Sequence, residues 1–319
     1  MLHIKNLEEG LPVFKALGSD LRIKIIKLLL ENREMNINEL AGAIGVTNGA
    51  MTSHIRKLEE SGIVKILPDR RCGHGNQKVC RVDVDKILVD VVSNELEEDG
   101  NVFITDIPVG QYMDYDVYPT CGLATETSLI GEADDPRYFA HPDRVHAQII
   151  WFGKGYVEYT IPTLLPPLVQ IEQITLSLEI SSEAPGINND WPSDIYFYLN
   201  GENIGMWTSP GDFGDVRGIF TPDWWLPNWN QYGLLKMITI NKEGTFVDGL
   251  KISNTSIKQF DLDYKSTIRF RFEVPQDAKN VGGMTIFGRK FGNYSQAIQA
   301  RIAYSHVKAE SRAARRENV

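Results

Sequence analysis
The sequence predicts a multidomain α+β chain, in which a mostly helical N-terminal module precedes an all-β antiparallel sandwich of jelly-roll type. Three observations lead there. Apolar residues in the first 96 positions recur at helical spacing, with one short hairpin among them. Beyond residue 100 they alternate with period two. The charge balance changes at the same point: residues 1–92 hold 14 Lys+Arg against 12 Asp+Glu, whereas the other 227 hold 19 against 30. Such asymmetry indicates two modules with different partners, and an acidic body repels nucleic acid. The 319 residues are placed as one domain at 1–96, a second at 97–308 and a basic tail at 309–319.

In the first module, Ser19 or Asp20 caps a helix whose Leu21, Ile25, Leu28 and Leu29 form one stripe. Asn36 with Glu39 three later predicts a capping box, opening a short helix with Leu40 and Ile44 inward. Gly45 ends that helix in the left-handed conformation. Thr47 caps the next, which buries Met51, Ile55 and Leu58 and closes at Ser61-Gly62. Residues 63–67 and 78–84 form a hairpin around a turn containing Pro68, Gly73 and Gly75. Asp83 or Asp85 then starts a final helix with Val84, Ile87, Leu88, Val91 and Val92 on its apolar face. The charged stretch 94–101 is the domain boundary.

In the body, residues 174–180, 268–274 and 298–304 alternate as half-buried strands. Asn200-Gly201 joins "DIYFYL" to "NIGMW", and Glu243-Gly244 joins "LLKMITIN" to "TFVDGLKI", as hairpins. Many short antiparallel strands over about 200 residues argue for one sandwich or barrel.

A short helix ending at Gly45, a three-residue turn and a helix polar on its outer face make a helix–turn–helix. Thr47, Asn48, Thr52, Ser53, His54, Arg56 and Lys57 are its candidate DNA contacts. Arg can read guanine bidentately and Asn can read adenine, whereas His54 suits a phosphate or the helix surface. Arg70, Arg71 and Lys78 decorate the hairpin, where a wing meets phosphates.

The stretches "VFKALGSDLRIKIIKLL" (13–29), "NELAGAIGVTNGAMTSHIRKLEESGIVK" (38–65) and "VCRVDVDKIL" (79–88) resemble the ArsR family of winged helix–turn–helix transcription regulators. The resemblance covers under a third of the chain. It implies a homodimer paired through the first and last helices of the domain; most members repress until an effector binds. Metal-sensing members carry a cysteine pair on the helix before the turn, and "INELAGAIG" has none. Gly49 also weakens the recognition helix by roughly 1 kcal/mol relative to Ala.

Other clusters read as structural. Cys72, His74 and Cys80 supply only three zinc ligands and belong to a plain wing. "DDPRYFAHPDRVH" (134–146) gathers Asp134, Asp135, His141, Asp143 and His146, but its prolines make it a structured loop. No phosphate loop, nucleophile elbow or HExxH motif is present, and neither metal nor cofactor is expected. Three cysteines are too few for a disulfide framework, and the longest apolar run is far short of the roughly 20 residues that span a bilayer. A cytoplasmic protein with no membrane partner and no signal peptide is expected.

Five of the six tryptophans fall between residues 191 and 229, among Asn188, Asn189, Asp190, Asp194, Asp212, Asp215, Arg217, Asp223, Asn228, Asn230 and Gln231. Flat aromatic faces beside carboxylates suit a sugar, whose C–H faces stack while its hydroxyls need partners. The candidate ligand residues are Trp191, Asp194, Trp207, Arg217, Trp224, Trp225, Asn228 and Trp229. Adjacent extended residues point oppositely, so one at most of Trp224 and Trp225 should stack on ligand, the other packing. The body looks like a jelly roll of the carbohydrate-binding-module type.

The reading is a ligand-responsive repressor, not an enzyme. It forms a homodimer on a palindromic operator in double-stranded DNA, and its sandwich senses a small saccharide or polyol. The alternatives are a sandwich enzyme acting on a carbohydrate, and an oligomerisation or protein-docking sandwich.

Overall fold
The computed structural model describes residues 2–4, 7–68, 78–84, 87–89, 101–260 and 262–306. Arg70, Arg71, Cys72 and His74 of the expected wing, Asp85, Val91 and Val92, the 94–100 boundary stretch and the tail from 309 lie outside them. The chain divides into two compact units, Met1–Glu95 and Leu96–Val319.

The first unit runs β1 (Leu2–Ile4), α1 (Leu7–Leu17), α2 (Asp20–Asn32), β2 (Glu34–Asn36), α3 (Ile37–Ile44), α4 (Asn48–Glu60), β3 (Val64–Pro68), β4 (Lys78–Val82) and β5 (Ile87–Val89). Its core is built from the helical stripes: Ile25, Leu29, Leu40, Met51, Ile55 and Leu58 are all buried. Each such side chain contributes about 1.5–3 kcal/mol on burial. The capping box at α3 is complete: the Glu39 N–H donates to Asn36 Oδ1 at 2.9 Å and the Asn36 N–H to Glu39 Oε2 at 2.8 Å. Gly45 follows at φ 79°, its N–H donating to the Ala41 carbonyl. At α2, Ser19 has the extended backbone of an N-cap but its side chain makes no capping bond. Instead the buried Arg22 guanidinium donates to the carbonyls of Ala16 and Lys15, tying α2 to the end of α1.

Two parts of this unit differ from expectation. The hairpin is three-stranded, because β2 pairs with β4 on the edge opposite β3. Where the final helix was expected, the described residues Ile87–Val89 form a strand: β5 pairs parallel with β1, Leu2 opposite Ile87 and Ile4 opposite Val89. Ile87 and Val89 are β-branched, stiff at χ1 and favoured in strands, a local preference that competes with the helical spacing of Val84, Ile87 and Leu88. A partner strand 85 residues away supplies the ladder, and local periodicity cannot show that.

The second unit contains β6 (Val102–Ile107), β7 (Asp114–Ala124), β8 (Ile149–Ile161), β9 (Val169–Ser181), β10 (Ser193–Leu199), β11 (Glu202–Ser209), β12 (Leu234–Asn241), β13 (Gly244–Val247), β14 (Leu250–Ser253), β15 (Ile268–Val274), β16 (Met284–Phe287) and β17 (Ile298–His306). All twelve join one antiparallel sheet that folds over into a sandwich. β8 pairs with β7 on one edge, and on the other with β16 at its start and β15 at its end. β9 pairs with β12 on one edge, and with β17 and then β16 on the other. The short strand β16 therefore bridges the two longest strands. Ile150, Phe152, Ile174, Leu176, Phe270 and Phe272 from the two halves share one core.

The Asn200-Gly201 turn is as expected, both residues lying in the left-handed region at φ 49° and 87°. The next differs. Asn241 pairs with Gly244, so the turn is Lys242-Glu243, and "TFVDGLKI" is two strands. Asp248 and Gly249, at φ 50° and 82°, reverse the chain between β13 and β14.

Strand alternation gives this sheet a second buried face. Ile150, Phe152, Met284 and Ile286 point into the main core, whereas Ile149, Trp151 and Phe287 point the other way. There they meet Ala124, Trp225 and Phe291 in a separate cluster. The tryptophan-rich loop between β11 and β12 covers this outer face.

Candidate functional site
On the first unit, the stripe that buries Met51, Ile55 and Leu58 leaves the opposite face of α4 to solvent. Thr47, Asn48, Thr52, Ser53, Arg56 and Lys57 are exposed there, as is Lys78 at the base of the wing. The Thr47 hydroxyl accepts from the Ala50 N–H at 3.3 Å, and the Thr52 hydroxyl donates to the Asn48 carbonyl. Arg56 pairs with Glu60 at 2.8 Å, but with 77% of its side chain exposed it is available to another acceptor. His54 differs from its neighbours: it is half-buried and its Nδ1 is buried without a partner among the described residues. Desolvation, then Arg22 and Lys57, lower its pKa, so the neutral imidazole is favoured.

On the second unit, the loop over the outer sheet face leaves a pocket of about 310 Å³. One wall is aromatic: Trp151 of β8 with Trp225 and Trp229 of the loop. The rings of Trp225 and Trp229 meet edge to face at 4.6 Å, and those of Trp225 and Trp151 at 5.6 Å. The Trp225 indole N–H donates to the Asn230 carbonyl at 2.8 Å, so its polar edge is satisfied internally.

The rest of the wall is acidic and polar: Asp134, Glu183, Asp212, Thr120 and Asn230. Glu183 accepts from the Thr120 hydroxyl at 3.2 Å, the Asn230 amide at 3.0 Å and the Thr285 hydroxyl at 2.9 Å. Burial, and then Asp212, push its carboxyl well above the usual range. Asp212 is 1% exposed; Oδ2 accepts from the Ala184 N–H at 3.0 Å, while Oδ1 is buried with no partner among the described residues. Burial raises its pKa to about 7, against the hydrogen bond from Ala184.

The residues expected to bind ligand separate. Trp225 and Trp229 line the pocket. Trp224 does not; its indole N–H donates to the Glu126 carbonyl at 2.7 Å. The two neighbouring rings do not point oppositely along a strand. A turn at Pro222–Trp225 sets them edge to face at 5.4 Å in the same cluster. Arg217 donates to the carbonyls of Pro222 and Trp225 and so holds the loop. Asp194 is a buried clamp, accepting from Thr208 and Asn280. Burial alone would raise its pKa, but these bonds hold it below the usual value. Trp207 packs on the main core beneath the Lys236 ammonium, 4.5 Å from its ring centre. Trp191 is half-buried and Asn228 exposed, and neither lines the pocket.

Trp151, Thr120 and Glu183 were not expected at the site. For Glu183 the signal lay in the alternation: Thr175, Ser177, Glu179, Ser181 and Glu183 continue one polar face through and past β9. Of the 134–146 cluster, Asp134 alone lines the pocket. Asp135 caps a short 3-10 turn and pairs with Arg137, and His141 Nδ1 accepts from the Asp143 N–H. No group of three or more His, Cys, Asp or Glu among the described residues is arranged to hold a metal ion.

Residues 19–65 match a family model described as winged helix-turn-helix DNA-binding. This segment is a DNA-binding module of that type. Among solved structures, the chain is similar to a possible transcriptional regulatory protein (fragment 1–100) from Mycobacterium bovis. Identity is 26% over 24% of this chain and 75% of that one, with a TM-score of 0.21. It is also similar to NolR from Sinorhizobium fredii, at 22% identity over 25% of this chain and 73% of that one, with a TM-score of 0.22. A third similarity is to the CBM36-1 domain of a multidomain xylanase from the hindgut metagenome of Trinervitermes trinervoides. There identity is 11% over 65% of this chain and 100% of that domain, with a TM-score of 0.29. No curated protein matches the chain.

Proposed function
We propose that this protein is a ligand-responsive transcriptional repressor. Its winged helix–turn–helix reads a palindromic operator as a homodimer, and its β unit senses a small saccharide or polyol in the tryptophan-walled pocket. The observation that carries the reading is the pairing, in one chain, of an open polar face on α4 with a small aromatic pocket lined by hydrogen-bonding groups. The pocket lies at the small end of the range for ligand sites. Dimerisation is supported by Leu7, Leu11 and Phe14, exposed at helical spacing along α1. For sugar binding to alter repression, the sugar must bind more tightly in one arrangement of the two recognition helices than in another. Titration of selected operator DNA in the presence of a sugar panel tests this. A shift of about tenfold in DNA affinity by one member is expected, as a coupling of 1–3 kcal/mol produces; no change across neutral and charged sugars removes the sensing role.

A second reading has one observation in its favour. Glu183 and Asp212 are carboxyl groups whose pKa is raised by burial beside aromatic rings, as a general acid for glycoside cleavage requires. Hydrolysis of aryl glycosides, abolished by Glu183→Gln, would establish it in place of sensing.

A further inference from the structure
The outer face of the sheet buries carboxylates of two kinds. Glu179, fully buried on β9, accepts from the backbone N–H groups of Gly233, Asn293 and Tyr294. Its lone pairs serve to hold two loops. Asp212 has one backbone donor and one buried oxygen with none among the described residues. Leaving a buried acceptor unmet costs about 1–3 kcal/mol, so a structural role alone does not account for it. The carboxyls of Glu183 and Asp134 line the same pocket, and no Lys, Arg or His among the described residues does. Opposite them stand the indoles of Trp151, Trp225 and Trp229, whose faces attract cations. Acids on one side and π-faces on the other make a cavity whose field favours positive charge to the extent that the acids ionise, which a bound cation promotes. A neutral sugar would meet the stacking and hydrogen-bonding demands but leave that field uncompensated.

We infer that the pocket selects a saccharide or polyol bearing a protonated amine, with the ammonium set against the Asp212–Glu183–Asp134 wall and the ring or chain against the tryptophans. This rests on the sensing reading and narrows its ligand class. An ammonium supplies both the missing donor and the missing charge. Hydrogen bonds to charged groups are about twice as strong as neutral ones, a difference corresponding to about tenfold in affinity.

The test is calorimetric titration of the full chain with two matched pairs, glucosamine against glucose and glucamine against sorbitol. In at least one pair the amine should bind about tenfold tighter or more. Asp212→Asn should remove most of that preference, lowering the amine's affinity about tenfold. Asp134→Asn, at the exposed mouth, keeps the acceptor for the Cys121 N–H and should reduce the preference without disturbing the fold. Equal or tighter binding of the neutral member in both pairs overturns the inference and leaves saccharide sensing standing. Binding of none of the four overturns the inference and the sensing reading together. An amine preference with no effect on DNA affinity upholds the inference and removes the sensing role.

Discussion
The recognition helix and the pocket are built in opposite ways. α4 is one contiguous segment, and its outer and inner faces follow from a 3.6-residue repeat within 13 residues. The pocket draws on β7, β8, the segment after β9, the loop after β11 and the segment before the 3-10 turn at Pro136, spanning more than a hundred residues of sequence. Function on α4 is therefore separable from stability, because the groups that face solvent carry little of the fold. In the pocket the same side chains are wall and core at once. Trp225 both lines the cavity and is the centre of the cluster beneath the loop, 1% exposed and in contact with Trp151, Trp224, Trp229 and Phe291.

The sharpest way to break this contrast is Trp225→Ala. Loss of a large buried aromatic should cost the β unit about 3–5 kcal/mol and abolish ligand binding, while the first unit's own unfolding transition is unchanged. Denaturant melts read by far-UV circular dichroism would show it; a cost below about 1 kcal/mol would mean the loop is not part of the core.

Asp212 should reveal itself through pH. Its folded pKa of about 7 lies above the ordinary 3.8, so between those values the folded state holds a proton that the unfolded chain has released. Stability of the β unit should then fall as pH rises through that window and level off above it. Glu183, also raised, adds a slope of the same sign. Asp212→Asn should reduce the slope and raise stability at pH 8 by on the order of 3 kcal/mol. Denaturation midpoints at pH 5 and pH 8 measure this, and equal slopes in the two proteins would contradict it.

On α4 the expectation inverts. Arg56→Ala should weaken operator binding by about 1–3 kcal/mol while leaving the melting transition nearly unmoved, because its pair with Glu60 is exposed. Fluorescence anisotropy on selected DNA, beside a thermal melt, reads both. The smallest effect belongs to Asn36→Ala. It removes the cap on α3 and should cost about 1 kcal/mol of stability in the first unit alone.

Much of the first unit was legible because its signals are local. The capping box at Asn36 and Glu39, the left-handed Gly45 and the Met51–Ile55–Leu58 stripe all act within a few residues. β5 was misread as helix because its partner is β1, and β-branched residues at positions 87 and 89 carry no record of that distance. In the β unit the Asn200-Gly201 hairpin was visible for the same local reason, while the Asp248-Gly249 reversal was overlooked although its residues are of the same kind.

For the site the division is sharper. Composition alone placed aromatic and acidic side chains together in the loop before β12, and so pointed to Trp225 and Trp229. It could not distinguish them from Trp191, Trp207 and Trp224, because every tryptophan has the same chemistry and burial depends on what lies opposite. Trp151 and Glu183 sit on strands, where the period of two says that they share a face with their alternate neighbours but not which face a loop will cover. The sequence by itself determined the helix faces, the caps and the alternation of the strands, since these depend on neighbours within a turn or two. Only the tertiary structure decided which sheet face became a pocket. That required a loop from β11 to fold over β7, β8 and β16, bringing a carboxyl group with one oxygen unmet among the described residues against a tryptophan wall.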